Sequence, residues 1–358
     1  MRRALSLALL TLGVFAVAVA VLLPTYVYPS LAKVPLDQNT TAVLEGQASK
    51  VLAVAQKDGQ PSPEIRQNVN LTATAKVQAN FARAEMTEGS DVAVWMLAIQ
   101  VVDTADNTIV NASKRQVCFD RRTSEGYVPA AGETDPKCQP DSSYVAEPDT
   151  AAATPPGQTP PERDVNHNQP GLNFKFPFGT EKKDYQVYED TTEQPVTAKF
   201  SGTDQVNGVD VYKFVQKVPD TQLQREKVPG SLVGADQDSV DATLFYSGTI
   251  TTWVEPVTGV EIKQTQEQHQ ELRVDGQTGA TTVFDGALTF NAKTIADLVD
   301  QANANKGKLQ FITTTGPIVF GIAGGLFLIA GAFLLFRRRK ADPTPPQDQP
   351  TAKHAANV

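Results

Sequence analysis

Histidine and cysteine are scarce in this chain, with three His and two Cys among 358 residues. Metal centres and reactive thiol sites draw on those side chains, so no metal or cofactor is expected. Basic residues also fall short, at 32 Lys+Arg against 40 Asp+Glu. A formal charge of −8 and a pI near 5.1 argue against a nucleic-acid binder, which needs a basic face. No G-x-S-x-G elbow, H-E-x-x-H, Walker loop or G-x-G-x-x-G occurs, and Gly230-Ser-Leu-Val-Gly234 misplaces its serine for an elbow. Acids are too numerous for any one pair to stand out as a general acid and base. No catalytic residue is expected, and the chain reads as a non-enzyme.

Long apolar runs are present at both ends. Ala4 to Leu23 carries no charge and follows Arg2 and Arg3; Pro317 to Phe336 carries none and precedes Arg337, Arg338, Arg339 and Lys340. About 20 apolar residues at ~1.5 Å rise span a ~30 Å hydrocarbon core, so 4–23 and 317–336 read as transmembrane helices. A cleaved signal peptide competes for the first run. Its apolar stretch is long for that reading, and Tyr26 and Tyr28 suit a membrane–water boundary, so an uncleaved anchor is expected. The basic flanks predict a two-span plasma-membrane protein with both termini cytoplasmic and residues 24–316 periplasmic. Charge follows that division: +2 over 1–23, −13 over the middle and +3 over 317–358. Small residues four apart, Gly321 and Gly325 in the second run and Ala16 and Ala20 in the first, would let helices pack closely.

Between the runs the chain reads as mainly β (α+β). Alternation and β-branched residues recur over Val69–Phe81, Asp91–Val102, Thr108–Phe119, Val196–Phe200, Val209–Val218, Ala242–Val254, Val260–Glu271 and Thr281–Phe290. Asn207-Gly208 suits a two-residue hairpin turn. An acid-x-x-Thr-small pattern repeats at Asp120, Glu255 and Asp275, with a looser copy at Asp103. It reads as a type I turn closed by a left-handed residue, in preference to calcium ligation. Residues 146–170 hold six prolines and cannot sustain a ladder, which divides the middle into β-rich lobes at 24–145 and 171–310. Cys118 and Cys138 lie in the first lobe and read as one disulfide, contributing roughly 3 kcal/mol by loop closure. Thr294-Ile-Ala-Asp297 resembles a capping box opening a short helix with Ile295, Leu298, Val299 and Ala302 on one face. Residues 337–358 form a basic and Pro-rich cytoplasmic tail.

Several segments together resemble the actinobacterial porin PorA family. They are Leu23-Pro-Thr-Tyr-Val-Tyr-Pro29 with Lys33-Val-Pro-Leu-Asp37, Cys118-Phe-Asp-Arg-Arg-Thr123, Phe174 to Tyr185, Tyr246 to Gly259, and the last apolar helix with its Arg cluster. The resemblance implies a two-span envelope protein with a β-rich periplasmic domain. It also implies a tie to lipid transport, since one mycobacterial relative is associated with the exporter of trehalose monomycolate. The leading expectation is therefore a domain that binds or escorts an envelope glycolipid or docks on a lipid exporter. Membrane lipid, an exporter and a second copy of the chain are the expected partners. Lipid or partner contacts are assigned to Trp95, Phe174, Phe176, Phe178, Tyr246 and Trp253, with ordinary core packing the plainer reading of each. Phe174 to Phe178 in particular reads as an exposed apolar edge. An oligomeric porin is the alternative, ranked second because two uninterrupted apolar helices cannot enclose water in a monomer, and an envelope enzyme with an unrecognised acidic site is the third reading.

Overall fold

The computed structural model describes residues 2–57, 60–130, 132–133, 137–148 and 162–336. Most of the Pro-rich stretch and the whole basic tail lie outside the described residues. The chain divides into two compact units, 1–29 with 310–358, and Ser30–Leu309.

The first unit is helical. Helix α1 (Arg2–Leu22) runs on through a π-helical turn (Leu23–Val27) into α2 (Tyr28–Leu31), and α4 (Gly316–Phe336) follows a π-helical turn (Phe311–Thr315). Their lengths and their sequences, uncharged beyond Arg2 and Arg3, suit membrane spans. α1 and α4 pack on each other through glycines other than the expected pair. A Cβ at Gly324 would lie 2.8 Å from Val17 Cγ2 and 2.9 Å from the Gly13 carbonyl; one at Gly331 would meet Leu10 at 2.9 Å. Gly321 and Gly325 would meet nothing within 4 Å, so the Gly-x-x-x-Gly expectation is corrected to Gly324 and Gly331. These two are seven residues apart and so share one helix face, which the 321/325 pair flanks.

The second unit is one sheet of twelve antiparallel strands, ordered β6-β5-β4-β3-β2-β1-β12-β11-β10-β9-β8-β7. The strands are β1 (Asn39–Lys57), β2 (Gln60–Ala79), β3 (Val92–Asp103), β4 (Ile109–Asp120), β5 (Tyr144–Pro148), β6 (Glu162–Asn166), β7 (Tyr185–Glu189), β8 (Gln194–Val206), β9 (Val209–Pro229), β10 (Ser239–Val254), β11 (Glu261–Val274) and β12 (Ala280–Phe290). The expected lobes are thus two six-stranded halves of a single sheet, joined where β1 pairs with β12. Hairpins connect the neighbours, and the acid-led turns are built as the pattern predicts. At Asp120 the carboxylate accepts the Arg122 and Thr123 amides at 2.8 and 2.9 Å, and Ser124 takes φ 65°. Glu255 accepts the Thr258 amide at 2.8 Å ahead of Gly259 at φ 72°, and Asp103 accepts Ala105 at 2.9 Å ahead of Asn107 at φ 59°. These oxygens are spent on the turns. The Asp275 copy departs, pairing instead with Arg225 at 2.6 Å.

The sheet curls until its halves face each other. Leu172 closes the gap, bridging antiparallel to Glu125 beyond β4 and parallel to Val187 in β7. On the outer face of β3 and β4, the disulfide Cys118–Cys138 pins the 137–143 segment over Val92 and Val94. Arg83 reinforces it with a bond to Asp141 at 2.6 Å. Helix α3 (Ala292–Gln310) packs Val299 and Ala302 on Val209, Val211 and Ile262. Asn291 caps it, accepting the Thr294 amide at 2.9 Å, whereas the Thr294 hydroxyl bonds to Val43 in β1. The cap therefore sits three residues earlier than the capping-box pattern placed it, and the helix is longer than expected.

Candidate functional site

Four of the sequence segments that carried the resemblance meet at one edge of the curled sheet. Arg121 holds the 33–37 segment, with its carbonyl accepting the Val34 amide at 2.8 Å and its Nε donating to the Val34 carbonyl at 2.8 Å. The Ser124 carbonyl accepts the Asn173 amide at 2.8 Å, and the Gly259 carbonyl accepts the Phe176 amide at 3.1 Å. Gly259 is obligatory there: its φ is 72°, and a Cβ would fall 2.0 Å from the Phe176 carbonyl. Arg115 ties the same edge from below. Its guanidinium donates to Gln169 and Asn173 at 2.7 and 2.8 Å, pairs with Asp190 at 2.8 Å, and lies between the Phe174 and Tyr188 rings.

Behind this edge lies a cavity of about 630 Å³ whose walls come from both halves of the sheet. One wall is apolar, built from alternate residues such as Leu44, Ala73, Val77, Leu97, Ile99 and Val101 on β1 to β3. The other carries a row of amides, flanked by apolar residues of β10 and β12 such as Leu244, Ile250 and Val283. Gln264, Gln266, Gln268 and Gln270 alternate along β11 and all line the cavity. A β-bulge at Ile262, where Trp253 pairs with Lys263 but Val254 with Glu261, turns Glu261 to the same face. The amides form a directed ladder: Gln268 donates to Gln266 at 3.0 Å, Gln266 to Gln264 at 2.7 Å, and Gln264 to Glu261 at 3.4 Å.

The ionisable groups on this cavity are either paired or pushed toward neutrality. Burial pulls the Lys175 ammonium down to about 7, opposed by the Glu261 charge. Its Nζ sits 3.6 Å from the Phe178 ring centroid and has no hydrogen-bond partner. Burial likewise raises Glu261 to about 7, with Lys175 opposing. Glu189 and Glu226 are raised for the same reason, and Glu189 accepts the Thr192 amide at 2.7 Å. Removing carboxylates from water favours the protonated form.

The six expected contact residues do not share a surface. Trp95 is 3% exposed and packs on Phe119 and Phe174, and Phe176 is 1% exposed and stacks on Phe214. Phe174 adopts φ 65°, a conformation unusual for an aromatic residue, which turns its ring inward. The Phe174 to Phe178 stretch is thus an inner edge of the cavity, and the expectation of an exposed apolar edge is corrected: the turn at 255–259 covers it. Tyr246 is fully buried and donates to Glu189 at 3.3 Å. Trp253 lies on the outer face between Lys213 and Lys263, donating to Asp204 at 3.0 Å. His269 sits on the outer face 3.4 Å from both Asp285 and Glu271. The amide ladder, Lys175 and Glu261 were missed. Four glutamines at even spacing are a visible signal, but a polar inner face contradicts the usual apolar-in rule.

A curled β-sheet with an amphipathic interior, carried by a chain with two membrane-length apolar helices, defines a membrane-associated envelope protein. A family model described as Porin PorA matches residues 5–333. The chain belongs to the PorA porin family. A Corynebacterium resistens protein named Porin PorA is 24% identical, the alignment covering 96% of this chain and 98% of that protein. A Corynebacterium amycolatum protein of the same name is 23% identical over 75% of this chain and 77% of its own length. These relatives bear the name of channel formers, which overturns the leading expectation of glycolipid escort or exporter docking. The name matches the reading that was ranked second.

Proposed function

We propose that this chain is a non-enzymatic, channel-forming protein of the envelope membrane, acting as an oligomer. The observation that carries the reading is the family match, which runs from the first apolar helix through the sheet to the second. Oligomerisation follows from physical chemistry. The apolar runs of these two helices, 4–23 and 317–336, are uncharged and mostly aliphatic and leave no polar stripe to hold water between them, so a conducting path needs several copies. Basic flanks at 2–3 and 337–340 support an orientation with both termini cytoplasmic and the sheet on the far side. Full-length protein reconstituted in planar bilayers is expected to give discrete conductance steps, with step size tracking the oligomer isolated. Silence across every oligomeric state would remove the reading.

A further inference from the structure

The interior of the sheet offers hydrogen bonds without free charge. An amide carries two N–H donors and a carbonyl with two lone pairs. In the ladder Gln264 and Gln266 each spend one donor and one acceptor on their neighbours, leaving one of each. That combination matches a hydroxyl or an amide, which both donates and accepts. The charged side chains on the cavity are few: Arg115 pairs with Asp190 at 2.8 Å, and burial lowers Lys175 and raises Glu189, Glu226 and Glu261. An ion entering would exchange part of its water for amide and apolar side chains, which is costly. Gln301 and Asn305 of α3 also line the cavity and are exposed, so the site is open to solvent. Its volume of about 630 Å³ holds roughly 20 waters' worth of solute.

We infer that this cavity is a binding site for small uncharged solutes rich in hydrogen-bonding groups, polyols and simple amides, and that it selects what the channel admits. The inference rests on the channel reading and adds its substrate class. The test uses full-length protein in liposomes, with glycerol and urea uptake followed by light scattering and KCl conductance followed in planar bilayers. Wild type is expected to pass both solutes. The combined Gln264→Leu, Gln266→Leu and Gln268→Leu variant is expected to lose about tenfold in their uptake, while KCl conductance stays within about twofold. Uptake unchanged in the variant, or wild type conducting KCl without admitting glycerol or urea, overturns the inference and leaves the channel intact. Wild type giving neither uptake nor conductance overturns both. A single Gln266→Glu change guards against loss of fold in the triple variant. It is expected to lower glycerol and urea uptake several-fold, because a carboxylate lacks the amide's two N–H donors, with KCl conductance kept; uptake equal to wild type counts against the inference.

Discussion

The two walls of the cavity follow the same alternation and reach opposite compositions. On β2 and β3 alternate residues such as Ala73, Ala75, Val77, Leu97, Ile99 and Val101 are apolar and inward, and the sheet beside them is held by Leu44, Val51, Leu71 and Leu288 packed together. On β11 every second residue is glutamine, and the carboxylate at its start is shielded from water. Burial of apolar area stabilises the first wall without regard to direction; the second is stabilised only because each amide finds its neighbour. The difference separates what folds the domain from what the domain offers to a solute.

The largest effect is expected on the apolar side. Trp95→Ala would remove a 3% exposed indole from its contacts with Phe119 and Phe174, leaving a void that the surrounding strands cannot fill. A loss of about 3–5 kcal/mol is expected, read by denaturant unfolding of the full chain in detergent. A loss below about 1 kcal/mol would mean that this wall does not carry the fold.

Glu261 sets the next effect, and its sign can be worked out. The folded carboxyl titrates near 7 against an ordinary 4.5, so the fold keeps a proton that the unfolded chain has released. Stability from this group therefore falls as pH rises from 4.5 to about 7 and is level beyond. Lys175 acts oppositely: its cost is full below about 7 and is relieved as pH climbs toward 10.5. Glu261→Gln is expected to gain on wild type across the 4.5 to 7 window, by on the order of 2 kcal/mol. Parallel stability curves for the two proteins would show that the carboxyl ionises freely.

Much of this contrast was legible in the sequence on one side and little on the other. β3, β4, β10 and β12 were placed to within a few residues because β-branched and aromatic residues mark them, β3 being apolar on both faces where Val92 and Val94 meet the disulfide. β1 was missed although it is long. Its apolar residues Leu44, Ala48 and Val51 do not keep period two, because the ladder shifts between Ala48 and Lys50. The bulge at Ile262 hid Glu261 in the same way, placing two charged neighbours, Glu261 and Lys263, on opposite faces. Trp95, Phe174, Phe176 and Phe178 stand out in the sequence as aromatic, but nothing in their spacing shows that the chain folds back over them. That arrangement depends on Gly259 and on Leu172, which are far from them in sequence or unremarkable in type.

The smallest expected effect sharpens the contrast most. Gln266 is half-buried, donates to Gln264 and accepts from Gln268. Replacing it by leucine removes two hydrogen bonds, each worth about 1 kcal/mol net, and leaves one acceptor and one donor on its neighbours without a partner. Those groups face an open cavity, so water can replace what they lost. A net change below about 1 kcal/mol is therefore expected in unfolding, several-fold less than for Trp95→Ala. A loss as large as that of Trp95→Ala would make the ladder a structural element of the fold, and the division between a wall that folds and a wall that binds would fail.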